Sequence, residues 1–287
     1  MIVPVPRDLY AVVGNPVGHS LSPHMMNALF ASLNIPAVYV SLQVDSFAGD
    51  FETLTRMGFS GLSVTVPHKE AAFRLVDEID ETAFAIGAVN TLKRTGTRWA
   101  GRNTDWIGST RALKQATELK GKRILVLGAG GAARAVVFGL EREGASVVVA
   151  NRTVDRGTAL AKAFRCGFMP LSELERVETG RSFDVVVQCT SAGMEGTSPL
   201  LVPTTLLFRP GMVVMDIVYR PLLTPFLAAA REAGCTIVNG LEMLLHQGAA
   251  QLEWWLGRPI PDESGIAVMR ECLIRSLEGP DGWKAKT

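Results

Sequence analysis

The sequence lacks a strong charge of either sign and a secretory signal. Its 29 basic and 28 acidic side chains leave a net charge of +1, so no strong field attracts nucleic acid or an anionic membrane. The N-terminal stretch MIVPVPRDLYAVVG has no basic start, continuous apolar middle or small-residue cleavage site. We therefore expect a small-molecule ligand, with no nucleic acid and no membrane as a partner.

Cysteine is also scarce. Cys166, Cys189, Cys235 and Cys272 form no CxxC pair and have no nearby histidine at a zinc-binding spacing. The pattern favours buried thiols in a reducing, cytoplasmic compartment, with no metal site.

Charged residues are missing altogether between Leu9 and Val44. Polar residues, prolines and glycines interrupt this stretch too often for a membrane span. An uncharged stretch that contains a polar loop predicts a sheltered site.

Apolar runs of strand length alternate with helical segments from Arg123 onward, which indicates a parallel, doubly wound sheet. A helix of residues 132–143 ends at Gly144, another runs from its cap Thr153 to residue 164, and a third, 224–233, ends at Gly234. The predicted strands are 123–128, 146–150, 183–189, 211–218 and 235–238, with a short one at 167–170.

The N-terminal part reads as a separate mixed α/β unit. Strand candidates are LYAVVG, AVYVSLQV, GLSVTV and AVNTLK; helices begin at Pro23 and Pro67, and KRTGTRW forms a hairpin turn. Two final helices, 241–256 and 264–278, are ended by Gly257 and Gly279. The predicted α/β fold has a substrate-binding domain at 1–104, a Rossmann domain at 105–239 and C-terminal helices at 240–287. These helices should pack on the first domain, which leaves a cleft between two lobes.

A glycine-rich turn follows the first strand of the Rossmann pattern. Gly128, Gly130 and Ala133 have the G-x-G-x-x-G/A spacing, which allows a tight turn and close approach to a pyrophosphate at a helix N-terminus. Because it occupies the first strand-to-helix turn of a six-strand pattern, we favour a dinucleotide site over a purely structural turn.

The end of the second strand favours NADP over NAD. NAD enzymes usually have an acidic residue here that binds the ribose 2′-hydroxyl. This chain has NRTVDR instead, in which Arg152 and Arg156 can bind a 2′-phosphate. The alternative is that both arginines are simply solvated at a helix start.

TVPHKE places a cation at the wrong end of a helix. If Pro67 is the first helical residue, Lys69 lies in the first turn, where the helix dipole disfavours a positive charge by up to about 1 kcal/mol. Neutral hydroxyl and amide groups gather in the same half of the chain, in GHSLSP, SVTVPHKE and GAVNTL. Together they suit a small polyhydroxylated acid.

The motifs GNPVGHSLSPHMMN, VTVPHKE, GAVNTL, NTDWIG, GAGGAARA, NRT, DIVY and NGLEMLLHQGA occur in one order and spacing over nearly the whole chain. In this the sequence resembles the shikimate dehydrogenase family. The resemblance implies NADPH-dependent reduction of 3-dehydroshikimate to shikimate, in the pathway to the aromatic amino acids.

The resemblance also implies roles for individual residues. Lys69 and Asp105 would be the catalytic pair, with Lys69 as the proton donor. Substrate would be held by Ser20, Ser22, Thr65, Asn90, Tyr219 and Gln247. The cofactor site would comprise Gly128, Ala129, Gly130, Gly131, Ala132, Asn151, Arg152, Thr153, Arg156, Thr190, Ile217 and Gly240.

Two positions depart from the family pattern. Ser63 stands where members usually have Asn, which puts one hydrogen bond of the substrate site in doubt. Gln188-Cys189 stands where an Asn-Ala pair is usual, which bears on the fit of the nicotinamide half.

Several residues also have structural interpretations. Ser22 and Asp105 are candidate N-caps, Asp105 for a helix of residues 106–118; Tyr219 could pack at a strand end and Gln247 could be an exposed amide. Rival proton donors are His19, His24, His68 and His246.

Two alternative functions stay open from the sequence. One is a quinate/shikimate dehydrogenase that uses NAD, and the other is a catalytically silent dinucleotide-binding regulator. A homodimer is one assembly that the sequence leaves open.

Overall fold

The computed structural model describes residues 7–18, 20–175, 182–199, 202–260 and 262–278. The described residues form two compact units, one within 1–104 and 248–287 and the other within 105–247. The division falls inside one helix, between Gln247 and Gly248.

The first unit is built on a mixed sheet of six strands in the order β2-β1-β3-β5-β6-β4. β1 runs parallel to β2 and β3, whereas β5 is antiparallel to β3 and β6. Its elements are β1 (Asp8–Gly14), α1 (Ser22–Ser32), β2 (Ala37–Gln43), α2 (Phe47–Arg56), β3 (Gly61–Val64), α3 (Lys69–Leu75), β4 (Glu78–Ile79), α4 (Glu81–Ile86), β5 (Thr91–Thr95) and β6 (Arg98–Arg102).

A core of apolar side chains from β1, β3, β5 and β6 packs against α2, α3 and α4. The predicted hairpin is confirmed, because β5 and β6 pair around a turn in which Gly96 has φ 63°. The four predicted strands of this part are present. The two-residue strand β4 was not predicted, because it is too short to show an alternating pattern.

The second unit is a parallel sheet in the order β12-β11-β10-β7-β8-β9, the doubly wound Rossmann order. The predicted α/β fold class is confirmed. Its elements are α5 (Asp105–Lys114), β7 (Arg123–Leu127), α6 (Gly131–Arg142), β8 (Ser146–Asn151), α7 (Val154–Phe164), β9 (Gly167–Pro170), a 3-10 turn (Leu171–Glu175), β10 (Val185–Gln188), α8 (Thr204–Leu207), β11 (Val213–Asp216), α9 (Pro225–Glu232) and β12 (Thr236–Val238).

Both faces of this sheet are buried. On β7, Ile124 and Val126 face one apolar cluster, while Leu125 and Leu127 face the other. A strand covered on both sides reads as a continuous apolar run, which is why the sequence pattern located these strands well.

The C-terminal helices are α10 (Gly240–Leu256) and α11 (Asp262–Glu278). α10 belongs to the second unit up to Gln247 and to the first from Gly248. In the first unit a Cβ at Gly248 would meet the Met25 side chain, so α10 and α1 approach closely there. Gly257 ends α10 with φ 65°, as predicted, whereas Gly279 lies outside the described residues.

Candidate active site

The glycine turn connects β7 to α6 in the second unit. Gly128 has φ 113° and its N–H donates to Ala150 O (2.9 Å). Gly130 is the extended N-cap residue of α6, and no side chain among the described residues caps this helix start. A Cβ at Gly130 would meet no atom within 4 Å, so the face of the turn is open. Backbone N–H groups at an open helix N-terminus fit a pyrophosphate.

The segment after β10 lies directly against this turn. A Cβ added to Gly128 would come within 2.9 Å of Thr190 Cγ2 and 3.3 Å of the Cys189 carbonyl carbon. The structure therefore brings Thr190 next to the glycine turn, where the carboxyl ends of β7 and β10 meet.

The end of β8 carries the residues that we predicted for a 2′-phosphate. Asn151 Nδ2 donates to Thr153 O (2.8 Å), which closes the turn into α7. Thr153 is the N-cap residue, as predicted, but its side chain makes no capping hydrogen bond. Arg152 and Arg156 are exposed on either side of the helix start, so both guanidinium groups are accessible to an anion.

Ile217 and Gly240 follow the ends of β11 and β12. Gly240 N donates to Val218 O (3.3 Å), and a Cβ at Gly240 would collide with Ile217 O. Only glycine allows this close approach of two backbone segments. Tyr219 is half-buried in the same segment, two residues after Ile217.

In the first unit the loops after β1 and β3 are held together by their backbones. Thr65 N donates to Val13 O (2.9 Å), and Asn15 N donates to Val66 O (3.0 Å). The loop after β1 leads to Ser20, whose Oγ accepts from Ser22 N (3.3 Å).

The N-cap prediction for Ser22 is wrong. Leu21 is the N-cap residue of α1 and Ser22 is the first residue of the helix. Its N–H donates to the Ser20 hydroxyl, so Ser20 accepts one of the backbone N–H groups at this helix start.

Lys69 is the first residue of α3 and is half-buried. The predicted helix start at Pro67 is wrong, because His68 N donates to Thr65 O (2.9 Å) and thereby closes a turn ahead of the helix. The Val66–Pro67 peptide in that turn is cis. Lys69 O accepts from Val89 N (3.2 Å), which ties the start of α3 to the segment before β5.

Asn90 is 2% exposed, and its side chain is hydrogen-bonded to Thr104, the last residue of the first unit before α5. Its Oδ1 accepts from Thr104 N (2.8 Å) and its Nδ2 donates to Thr104 Oγ1 (3.0 Å). The side chain therefore holds the residue immediately before Asp105.

Asp105 is buried and is the first residue of α5. We predicted it as the cap of a helix over 106–118, but the helix includes Asp105 and ends at Lys114. Ala116 N and Thr117 N both donate to Leu113 O, which closes the last turn early. A carboxylate at a helix start is stabilised by the helix dipole.

Gln247 is buried, so its interpretation as an exposed amide is wrong; its Nε2 donates to Leu244 O (3.0 Å).

Gln251, one turn further along α10, was not selected from the sequence. Ser63 Oγ accepts from Tyr39 OH (2.6 Å) and donates to Gln251 Oε1 (2.7 Å), while Gln251 Nε2 donates to Asn90 O (3.3 Å). Ser63, which stands where family members usually have Asn, thus belongs to a buried network of neutral side chains. The spacing of four residues from Gln247 was the available signal, since both amides lie on one helix face.

The rival histidines have other environments. His24 is exposed, His68 is buried with Nε2 2.9 Å from Val44 O, and His246 Nε2 lies 2.9 Å from Gln115 Nε2. His19 lies outside the described residues.

The thiols are only partly as predicted, because Cys189 and Cys235 are buried whereas Cys166 and Cys272 are half-buried. Burial raises the pKa of Cys166 to about 11, so its thiol is neutral at pH 7. Within the described part of the chain, no three potential ligand side chains are grouped for a metal ion. No helix in the described ranges is long and apolar enough to cross a membrane.

Comparison with family models assigns three segments of the chain. Residues 12–92 match the shikimate dehydrogenase substrate binding domain, 110–198 match shikimate / quinate 5-dehydrogenase, and 240–271 match the shikimate 5′-dehydrogenase C-terminal domain.

Whole-chain comparisons agree with these models. A shikimate dehydrogenase (NADP(+)) of Syntrophobacter fumaroxidans is 60% identical over 96% of this chain and 97% of its own. The shikimate dehydrogenase structure from Aquifex aeolicus has a TM-score of 0.86 and 38% identity, over 93% of this chain and 98% of its own. The Thermus thermophilus shikimate 5-dehydrogenase, solved with NADP(H) and shikimate, has a TM-score of 0.82 and 38% identity, over 92% and 99%. The chain therefore belongs to the shikimate dehydrogenase family, as its motifs predicted.

Proposed function

We propose that this protein is an NADP-dependent oxidoreductase that reversibly reduces 3-dehydroshikimate to shikimate, in the pathway to the aromatic amino acids. The observation that carries the proposal is the 60% identity, over 96% of the chain, to a relative named shikimate dehydrogenase (NADP(+)). The open glycine turn and the lysine at the start of α3 supply the chemical groups that the reaction needs.

Different groups of cofactor residues are proposed to bind different parts of the dinucleotide. The backbone of Gly128 to Ala132 holds the pyrophosphate, and the turn Asn151–Thr153 with Arg156 holds the adenosine 2′-phosphate. Thr190, Ile217 and Gly240 line the nicotinamide half. When bound, the reduced nicotinamide supplies a hydride to the substrate carbonyl carbon.

The substrate residues are proposed to act mainly through neutral side chains. Hydroxyls of Ser20, Ser22 and Thr65 and amides of Asn90 and Gln247 can each give or accept hydrogen bonds with the ring hydroxyls or the carboxylate of shikimate. Tyr219 is proposed to add a phenolic hydroxyl. A site that bonds each hydroxyl also discriminates against analogues that lack one.

Lys69 is the proposed proton donor. In the reduction its ammonium gives a proton to the carbonyl oxygen, and in the reverse direction its neutral amine takes the proton from the shikimate hydroxyl. Asp105 is the proposed partner that orients this ammonium, since a carboxylate fixes both its direction and its charged form. The presence of both groups disfavours a catalytically silent regulator.

Two further features belong to the proposal. The protein is proposed to act in the cytoplasm, since its four cysteines are free thiols and a reducing compartment keeps thiols unpaired. Size-exclusion chromatography with light scattering tests whether the chain assembles as a homodimer.

A matrix of initial rates tests the function and its nearest alternative. Shikimate or quinate is offered with NADP⁺ or NAD⁺, and formation of the reduced nicotinamide is followed by absorbance. We expect the highest kcat/KM with shikimate and NADP⁺. A preference for quinate with NAD⁺ would assign the chain to the quinate branch, and no turnover with any pair would overturn the proposal.

A further inference from the structure

A buried polar network lies at the carboxyl ends of β10 and β11. Gln188 ends β10 and Asp216 ends β11, where they are direct neighbours in the sheet register. Both side chains are fully buried, as is Thr224 at the start of α9. Burial of a carboxylate costs free energy unless hydrogen-bond donors surround it, so the burial of Asp216 calls for a structural or functional explanation.

Asp216 accepts three hydrogen bonds. Its Oδ1 accepts from Val218 N (2.9 Å) and from Gln188 Nε2 (3.2 Å), and its Oδ2 accepts from Thr224 Oγ1 (2.7 Å). Burial nevertheless raises the pKa of Asp216 to about 6, since desolvation outweighs the three donors. The carboxylate is thus retained at an energetic cost.

Gln188 connects that carboxylate to the other loop. Its Oε1 accepts from Thr190 N, and its Nε2 also donates to Ala192 O (2.9 Å). One side chain therefore holds the backbone of the segment after β10 at two points. Together the two residues fix the exits of neighbouring strands through their mutual hydrogen bond and four others, to Thr190 N, Ala192 O, Val218 N and Thr224 Oγ1.

The two segments occupy a particular place in the Rossmann sheet. β7 and β10 are the neighbouring strands at which the strand order reverses, and ligands of open α/β sheets bind at that switch point. The glycine turn and β8 serve the adenosine half of a dinucleotide. The exits of β10 and β11 consequently belong to the other half.

We propose that Gln188 and Asp216 are positioning residues that clamp the loops 189–192 and 217–218 so that Thr190 and Ile217 orient the nicotinamide ring. The inference rests on the proposed NADP-dependent function, but it concerns only this half of the site. Neither side chain needs to touch the ligand, because each acts through the backbone that it holds. The glutamine, at a departure from the family pattern, is long enough to reach both Thr190 N and Asp216.

Three variants separate positioning from simple stabilisation. Gln188→Met keeps the side-chain length but removes every hydrogen bond. Gln188→Asn retains an acceptor two residues before Thr190 N, in the manner of an Asx turn, but falls short of Asp216. Val186→Ala is the matched control: it removes apolar volume from the same face of β10 and leaves both loops bonded.

Two ligands report on the two halves of the site. Adenosine 2′,5′-bisphosphate probes the adenosine half alone, and NADPH probes both. For Gln188→Met we expect the Kd of NADPH, from nicotinamide fluorescence, to rise about tenfold. The Kd of the bisphosphate should stay within about twofold, and Gln188→Asn should fall between wild type and Gln188→Met. Because Val186→Ala only lowers the thermal unfolding midpoint, it should bind both ligands normally.

Turnover adds a second readout. With the transferred hydrogen of NADPH replaced by deuterium, the isotope effect on kcat should increase in Gln188→Met, since poor ring orientation slows hydride transfer. If Gln188→Met loses affinity for NADPH and for the bisphosphate equally, the clamp is wrong. It is also wrong if Gln188→Met is less stable but keeps the NADPH affinity and the isotope effect of the wild type. If the wild type binds NADPH but reduces no substrate, the proposed function fails while the two binding constants still decide the clamp.

Discussion

The two units prepare their polar groups in different ways. In the first unit the proposed substrate groups are side chains, and the buried network beside them, Tyr39–Ser63–Gln251, is made of neutral groups. In the second unit the proposed cofactor groups are largely backbone N–H groups at strand exits, and the buried network behind them is centred on a carboxylate.

This difference follows from what each ligand offers. A polyhydroxylated ring needs donors and acceptors in many directions, which side chains provide. A pyrophosphate needs close approach to oriented N–H groups, which only glycine and a helix start provide. In the first unit, ligand binding and turnover should therefore suffer most when a side-chain functional group is removed. In the second unit, cofactor binding should suffer most when a methyl group is added to a glycine.

The largest effect should come from the one charged side chain proposed for catalysis in the first unit. Lys69→Ala should lower kcat by about 10³-fold, the scale of a lost general acid, with little change in shikimate affinity. Steady-state kinetics and a direct shikimate titration measure the two quantities. Glu70→Gln, at the exposed neighbouring position, is the control. Near-normal turnover of Lys69→Ala would show that the proton comes from elsewhere.

The buried carboxylate of the second unit should make its stability pH-dependent. The folded-state pKa of Asp216, about 6, lies above the ordinary value of 3.8, so the folded state holds the proton more tightly. Relative to Asp216→Asn, the free energy of unfolding of the wild type should fall as pH rises from about 4 to 6, by up to about 3 kcal/mol.

Urea unfolding at several pH values measures this difference. Ser63→Ala is the matched comparison, because Ser63 and Gln251 carry no ionisable group. Its destabilisation should stay constant over the same range. A flat difference between wild type and Asp216→Asn would mean that the carboxyl group has an ordinary pKa.

Two glycines of the turn, two residues apart, should respond differently to one added methyl group. Gly128→Ala forces a side chain onto φ 113° and against Thr190, so stability should drop by about 1–3 kcal/mol and NADPH affinity should fall. Gly130→Ala meets no protein atom, so only NADPH affinity should fall.

Thermal unfolding and NADPH titration, measured on both variants, separate the effects. If Gly130→Ala binds NADPH as the wild type does, the pyrophosphate does not lie on this turn.

The smallest change should come from the exposed arginines. Arg152→Ala and Arg156→Ala should each lower the ratio of kcat/KM for NADP⁺ over NAD⁺ about tenfold, the value of one charge-assisted hydrogen bond. Stability should not change, because both side chains are exposed. Arg165→Ala, at the far end of α7, is the control. An unchanged ratio in both variants would mean that the arginines are merely solvated.

The sequence predicted regular features better than local starts and contacts. The strands of the Rossmann sheet were found because burial on both faces leaves a continuous apolar run. The start of α3 was missed because a backbone bond from His68 to Thr65 closes a turn that the proline rule does not anticipate. The role of Gln188 was missed because its partner, Asp216, is distant in sequence and adjacent only in the sheet.

The reduction of 3-dehydroshikimate is best tested by following the oxidation of NADPH when this substrate is added, with NADH measured in parallel. We expect a rate that saturates in both reactants, is higher with NADPH than with NADH, and is lost in Lys69→Ala. Tight binding of both ligands by the wild type without any oxidation of NADPH would contradict it.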